Sequence, residues 1–68
     1  MMKNGKVIIM LLYGIVNESI IQPIEVEFEE DARLEMKLRF GVGVRVITKE
    51  EFEVNYKKQD LEMLPLIK

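Results

Sequence analysis

From Leu34 to Val46 apolar residues occupy every second position: Leu34, Met36, Leu38, Phe40, Val42, Val44 and Val46, with Glu35, Lys37, Arg39, Gly41, Gly43 and Arg45 between them. A period of two sets one side of an extended strand in a core and the other in water, whereas a helix scatters such positions around its circumference. The pattern therefore predicts a long β-strand. Straight, it would span more than about 40 Å at about 3.3 Å per residue, too long for a domain of 68 residues. Gly41 and Gly43 fall on its outer phase, where a missing side chain permits a bulge or corner. The expectation is one strand turning between two parts of a curled sheet.

Upstream, Val7 to Leu12 is apolar on both phases. Its β-branched residues favour a strand from Lys6 to about Tyr13 over the buried helix that Met10, Leu11 and Leu12 would also allow. Such a strand needs a cover on each face, one from the curl of the sheet and one most simply from a second copy of the chain. Val16-Asn17-Glu18-Ser19 reads as a turn, and the chain returns from Ile20 to Glu29. Pro23 lacks an amide donor, so that strand starts after it or runs along an edge. A loop at Glu29 to Arg33 would then pair Phe28 with Leu34, Val26 with Met36 and Ile24 with Leu38.

Beyond Ile47 two readings compete. Thr48-Lys49-Glu50-Glu51 matches a helix capping box. Against it, Phe52, Val54 and Tyr56 alternate with polar residues, and a loop at 47–51 pairs Val46 with Phe52, Val44 with Val54 and Val42 with Tyr56. The alternation favours a fourth strand. Asp60 would cap a short helix from Leu61 to Leu64, ended by Pro65. The expected fold is all-β, or β-rich with a short C-terminal helix. It is a small antiparallel meander of about four strands, curled or a half-barrel, in a single domain over residues 1–68 with a tail at 60–68.

Composition narrows the chemistry. The chain has no cysteine and no histidine, hence no disulfide and no soft-ligand zinc, haem or iron–sulfur site. Ten basic and twelve acidic residues leave a formal charge of −2, so no global pull towards nucleic acid exists. The apolar run at Val7 to Val16, broken by Gly14, is about half of what spans a bilayer. No small-residue cleavage site follows it. A soluble, unprocessed cytoplasmic protein is the expectation.

Without His or Cys the acid–base groups are carboxylates, lysines, Tyr13 and Tyr56, and Ser19 has no histidine to activate it. No catalytic, cofactor-binding or metal-binding residue is expected. Glu25, Glu27, Glu29, Glu30 and Asp31 form the densest charge cluster, but without a calcium-loop pattern they read as a solvated strand face. Gly41-Val42-Gly43 lacks the third glycine and following helix of a phosphate loop. Lys37, Arg39 and Arg45 would share the outer face of the long strand, an alternative nucleic-acid face. Its aromatic neighbours fall on the inner phase, where they cannot stack on bases.

The segment from Tyr13 to Leu38 resembles the short β-rich antitoxin family that pairs with PIN-domain ribonuclease toxins. Tyr13, Pro23-Ile24, Phe28-Glu29-Glu30 and the alternating Leu34-Glu35-Met36-Lys37-Leu38 carry the likeness. Asp31 stands where that family has glycine, and the turn after Tyr13 is longer. The resemblance implies a dimeric β scaffold whose C-terminal segment, here Asp60 to Lys68, wraps a toxin, with no catalytic residues. The residues themselves point to a non-enzymatic module, antitoxin- or inhibitor-like, that forms a homodimer and binds a partner protein. Its apolar tail residues Leu61, Met63, Leu64, Leu66 and Ile67 would either dock on that partner or fold back as core. The alternatives are a small β-barrel for single-stranded nucleic acid and a phage or structural accessory protein.

Overall fold

The computed structural model describes residues 8–68. Four strands and two helices follow one another as β1 (Met10–Val16), β2 (Ile20–Val26), α1 (Glu29–Phe40), β3 (Val44–Thr48), α2 (Lys49–Asn55) and β4 (Glu62–Met63). The sheet order is β3-β1-β2-β4. β1 pairs antiparallel with both β2 and β3, and β4 runs parallel to β2. The fold is β-rich with four strands, as expected, but the sheet is mixed rather than an antiparallel meander, it is not a closed barrel, and two helices replace the all-β reading.

The hairpin is the expected one. Ser19 N–H donates to Val16 C=O at 3.0 Å, and Asn17 and Glu18 both take positive φ, the geometry a tight hairpin turn requires. β1 is apolar on both phases because it lies inside a layered domain. Tyr13 and Ile15 join Ile21, Ile47, Phe52 and Tyr56 under α2. Leu12 joins Ile24, Ala32 and Met36 under α1 on the other face. Two helices of the same chain thus supply both covers, in place of the sheet's own curl and a second copy of the chain. Of the expected strand from Lys6 onward, Lys6 and Val7 lie outside the described residues.

The long strand is corrected to a helix, a turn and a short strand. Between Glu29 and Phe40 no residue is β-branched, and Ala, Leu, Glu, Met, Lys and Arg all favour helix. Acidic Glu29, Glu30 and Asp31 open α1, and basic Lys37 and Arg39 close it, both complementing the helix dipole. Glu29 pairs with Arg33 and Glu35 with Arg39, each at the supportive i,i+4 spacing. The buried stripe is Ala32 and Met36, both 0% exposed, continued by Phe40. Leu34 and Leu38, assigned inward by the alternation, point out at 57% and 74% exposure. The strand pairs Phe28–Leu34, Val26–Met36 and Ile24–Leu38 therefore do not form, although Met36 still packs beside Val26 from the helix.

Gly41 caps α1 at φ 88°, ψ −170°, a region open essentially to glycine alone. A side chain at Gly43 would meet no atom within 4 Å, and no positive φ restricts it. Gly41→Ala should therefore cost about 1–3 kcal/mol, and Gly43→Ala should be near neutral in urea melts. Equal costs would contradict a helix C-cap at Gly41.

The favoured fourth strand is corrected too, to α2. Thr48 and Glu51 make the reciprocal capping box, with Thr48 Oγ1 accepting from Glu51 N–H at 3.1 Å. Phe52 and Tyr56, one helical turn apart, point inward, and Phe52 stacks on Tyr13 with centroids 4.2 Å apart. Val54 is exposed, so the pairs drawn from Phe52, Val54 and Tyr56 to Val46, Val44 and Val42 are absent.

The short helix expected at Leu61 to Leu64 is likewise replaced, by β4. Glu62, Leu64 and Ile67 N–H donate to Ser19, Ile21 and Pro23 C=O at 3.1, 2.8 and 3.1 Å, and Glu25 N–H donates to Ile67 C=O at 2.8 Å. Pro23 is tolerated inside β2 because its backbone faces this irregular C-terminal segment and not β1.

Candidate interaction surface

The geometry begins with backbone alternation. In β2 the odd residues Ile21, Pro23 and Glu25 bond to the C-terminal segment, so the even ones face β1. By the registers given for β1 with β2 and β3, Arg45 and Ile47 bond back to β1, and Val44 and Val46 turn N–H and C=O to the outer edge of β3. Thr48 follows the same rule, its N–H donating to Glu51 Oε1 at 3.1 Å. Among the described residues no strand pairs with that edge.

Beside this edge runs a hollow of about 250 Å³ lined by Arg33, Lys37, Gly41, Val42, Val44 and Val46. Val44 and Val46 form its floor and pack on the α1 cluster. Arg33 and Lys37, one turn apart, form its helical wall, and Val42 at its mouth is 87% exposed. A second hollow of about 260 Å³ lies on the opposite flank of α1, against Ile24, Glu25, Val26, Asp31, Glu35, Arg39, Ile67 and Lys68. Both are smaller than the roughly 300–1,000 Å³ typical of small-molecule sites.

The three cations of the alternative nucleic-acid face are not brought together. Lys37 lines the first hollow, and Arg39 pairs with Glu35 beside the second. Arg45 lies on the other face of the sheet, donating to Glu18 Oε2 at 2.6 Å and to Tyr56 Oη. The tail residues divide as well. Leu61 packs on the α2 cluster and Ile67 on the α1 cluster, Leu64 is half-buried, and Met63 and Leu66 stay exposed. Sequence reasoning passed over Arg33, assigned to a loop, and Gln22, whose buried amide donates to Pro65 and Pro23 C=O at 2.6 and 2.9 Å. The i,i+4 spacing of Arg33 and Lys37 was the available signal for the first.

The acidic run is distributed from the end of β2 to the first turn of α1. No group of three His, Cys, Asp or Glu side chains is placed to hold a metal ion among the described residues. No helix there is long and apolar enough to cross a membrane.

Glu18, Arg45 and Tyr56 lock the hairpin turn to β3 and to the end of α2. Tyr56 Oη donates to Glu18 Oε1 at 3.0 Å. The Arg45 guanidinium, then the Tyr56 hydroxyl, hold the Glu18 carboxyl below its ordinary value of 4.5. A carboxyl whose pKa falls on folding stabilises fully above the ordinary value, and that support is lost as pH drops through the lowered one. The melting-temperature gap between the wild type and Glu18→Gln should be widest near neutral pH, narrow as the pH falls below 4.5 and close once it has dropped through the lowered value. A gap independent of pH would contradict this linkage.

Comparison with family models, curated proteins and solved structures gave no match.

Proposed function

We propose that the chain is a non-enzymatic protein-binding module that receives an extended segment of a partner along the outer edge of β3. The observation that carries this reading is the pair of outward backbone groups at Val44 and Val46 beside a hollow floored by valines and walled by Arg33 and Lys37. Folded proteins usually cover, charge or kink such an edge, and strand addition to it is a recurrent mode of recognition. An antitoxin- or inhibitor-like role is the form this function takes if the bound segment belongs to an enzyme that it silences. The nucleic-acid reading has less support, since its three cations lie on separate surfaces.

Val46→Pro is the informative variant. It removes a donor that faces outward and leaves the β1 ladder bonds in place, the position where an edge strand tolerates proline. Tagged wild-type and Val46→Pro chains should be purified from the native cell. A partner protein retained by the first and lost by the second is expected. The same partner on both chains would contradict binding at this edge.

A further inference from the structure

Resting on that reading, we infer that the partner segment is acidic, with carboxylates at alternate positions. A strand laid antiparallel against β3 places the residues opposite Val44 and Val46 on the α1 side of the sheet, because directly opposed side chains share a face. Those two positions are separated by about 6.8 Å along a strand. Lys37 and Arg33, four residues apart on the wall above them, are separated by about 6 Å along the helix. The three-residue connection Gly41–Gly43 turns the chain back on itself, so α1 runs back along β3. A carboxylate opposite Val44 therefore meets Lys37, and one opposite Val46 meets Arg33.

The free charges of the groove support this assignment. Lys37 has no ion-pair partner among the described residues, and Arg33 shares only the exposed Glu29, a contact easily exchanged. The groove-lining residues include two cations and no acid. This charge also argues against a second copy of the chain as occupant. Two β3 edges paired about a two-fold axis would keep both α1 helices on one face and set Arg33 and Lys37 against their own copies.

Fluorescence anisotropy with labelled eight-residue peptides tests the proposal. The first probe carries glutamate at two positions two residues apart among threonine and valine, the second carries glutamine there, and the third lysine. The glutamate probe should bind the wild type best and weaken with added salt. Joint Arg33→Glu and Lys37→Glu substitution should weaken it by roughly tenfold or more, as two rim pairs become repulsive. The lysine probe should in turn prefer the reversed protein. Glutamate and glutamine probes that bind alike, and are both lost with Val46→Pro, would overturn the acidic partner and leave the edge reading standing. Glutamate binding untouched by Val46→Pro and by backbone N-methylation of the probe would overturn strand addition itself. Absence of binding to any probe at millimolar concentration would overturn the proposal, and so would a wild-type dimer that Val46→Pro makes monomeric.

Discussion

Met36→Ala should leave the chain largely unfolded at room temperature. Met36 is 0% exposed and stands at the centre of the α1 stripe, facing Leu12, Ile24 and Ala32. Truncating a fully buried methionine costs about 2–5 kcal/mol, against the roughly 3–5 kcal/mol that a core of this size supplies. Its seat is made by Gly14. A Cβ there would lie 2.5 Å from Met36 Sδ, 3.1 Å from its Cγ and 3.5 Å from Val44 Cγ2. The glycine in the middle of β1 is thus explained by the close approach of α1. Gly14→Val should be as damaging as Met36→Ala, whereas Gly14→Ala displaces a flexible thioether and should cost less. The double variant Gly14→Val with Met36→Ala should recover part of the loss, with a coupling of about 0.5–3 kcal/mol in a double-mutant cycle of urea melts. Strict additivity would mean that helix and strand do not meet there.

Truncation after Gln59 should be nearly as severe. It removes the four backbone bonds that close the outer edge of β2, one of the two acceptors of the buried Gln22 amide, and the packing of Leu61 and Ile67 on opposite faces of the sheet. Losing the burial of these two apolar side chains forfeits up to about 1.5–3 kcal/mol each, less here because both are only partly buried. A clear fall in the urea midpoint is expected. A shortened chain as stable as the full one would show that the segment at 60–68 does not contribute to the core and would return it to the role of a docking tail.

How far the sequence could be read is clearest in three places. The β1–β2 hairpin was legible because a polar turn separates two apolar runs, but burial on both phases falls at Leu12–Val16 and not on the Val7–Leu12 run, where Ile8, Ile9 and Met10 are exposed. The Thr48–Glu51 capping box was legible as well, yet it was outweighed by the alternation of Phe52, Val54 and Tyr56. Two of those three side chains do point inward, since positions four apart share a helix face as well as a strand face. α1 was hidden by the same arithmetic. Met36 and Phe40 satisfy both periods, the exposed Leu34 and Leu38 completed a false strand, and Ala32 was too small to register as core. The opposing signals were the lack of β-branched residues before Val42, the Glu-to-Arg spacings and a glycine at the helix end.

The candidate surface depended on that misreading. With α1 read as a strand, Lys37, Arg39 and Arg45 share one face and Arg33 drops into a loop. With α1 as a helix, Arg33 and Lys37 come together over β3, and Arg39 and Arg45 leave. The open edge itself has no sequence signature, because it follows from which strand β1 chooses as its second neighbour.

Residue-resolved amide hydrogen exchange of β3, alone and with the glutamate probe bound, tests the edge most directly. In the free protein the Arg45 and Ile47 amides should exchange slowly and those of Val44 and Val46 quickly, since only the first pair is engaged by β1. On binding, Val44 and Val46 should become protected. Protection of Val44 and Val46 in the free chain, or fast exchange there that persists in the bound state, would contradict an open, strand-accepting edge.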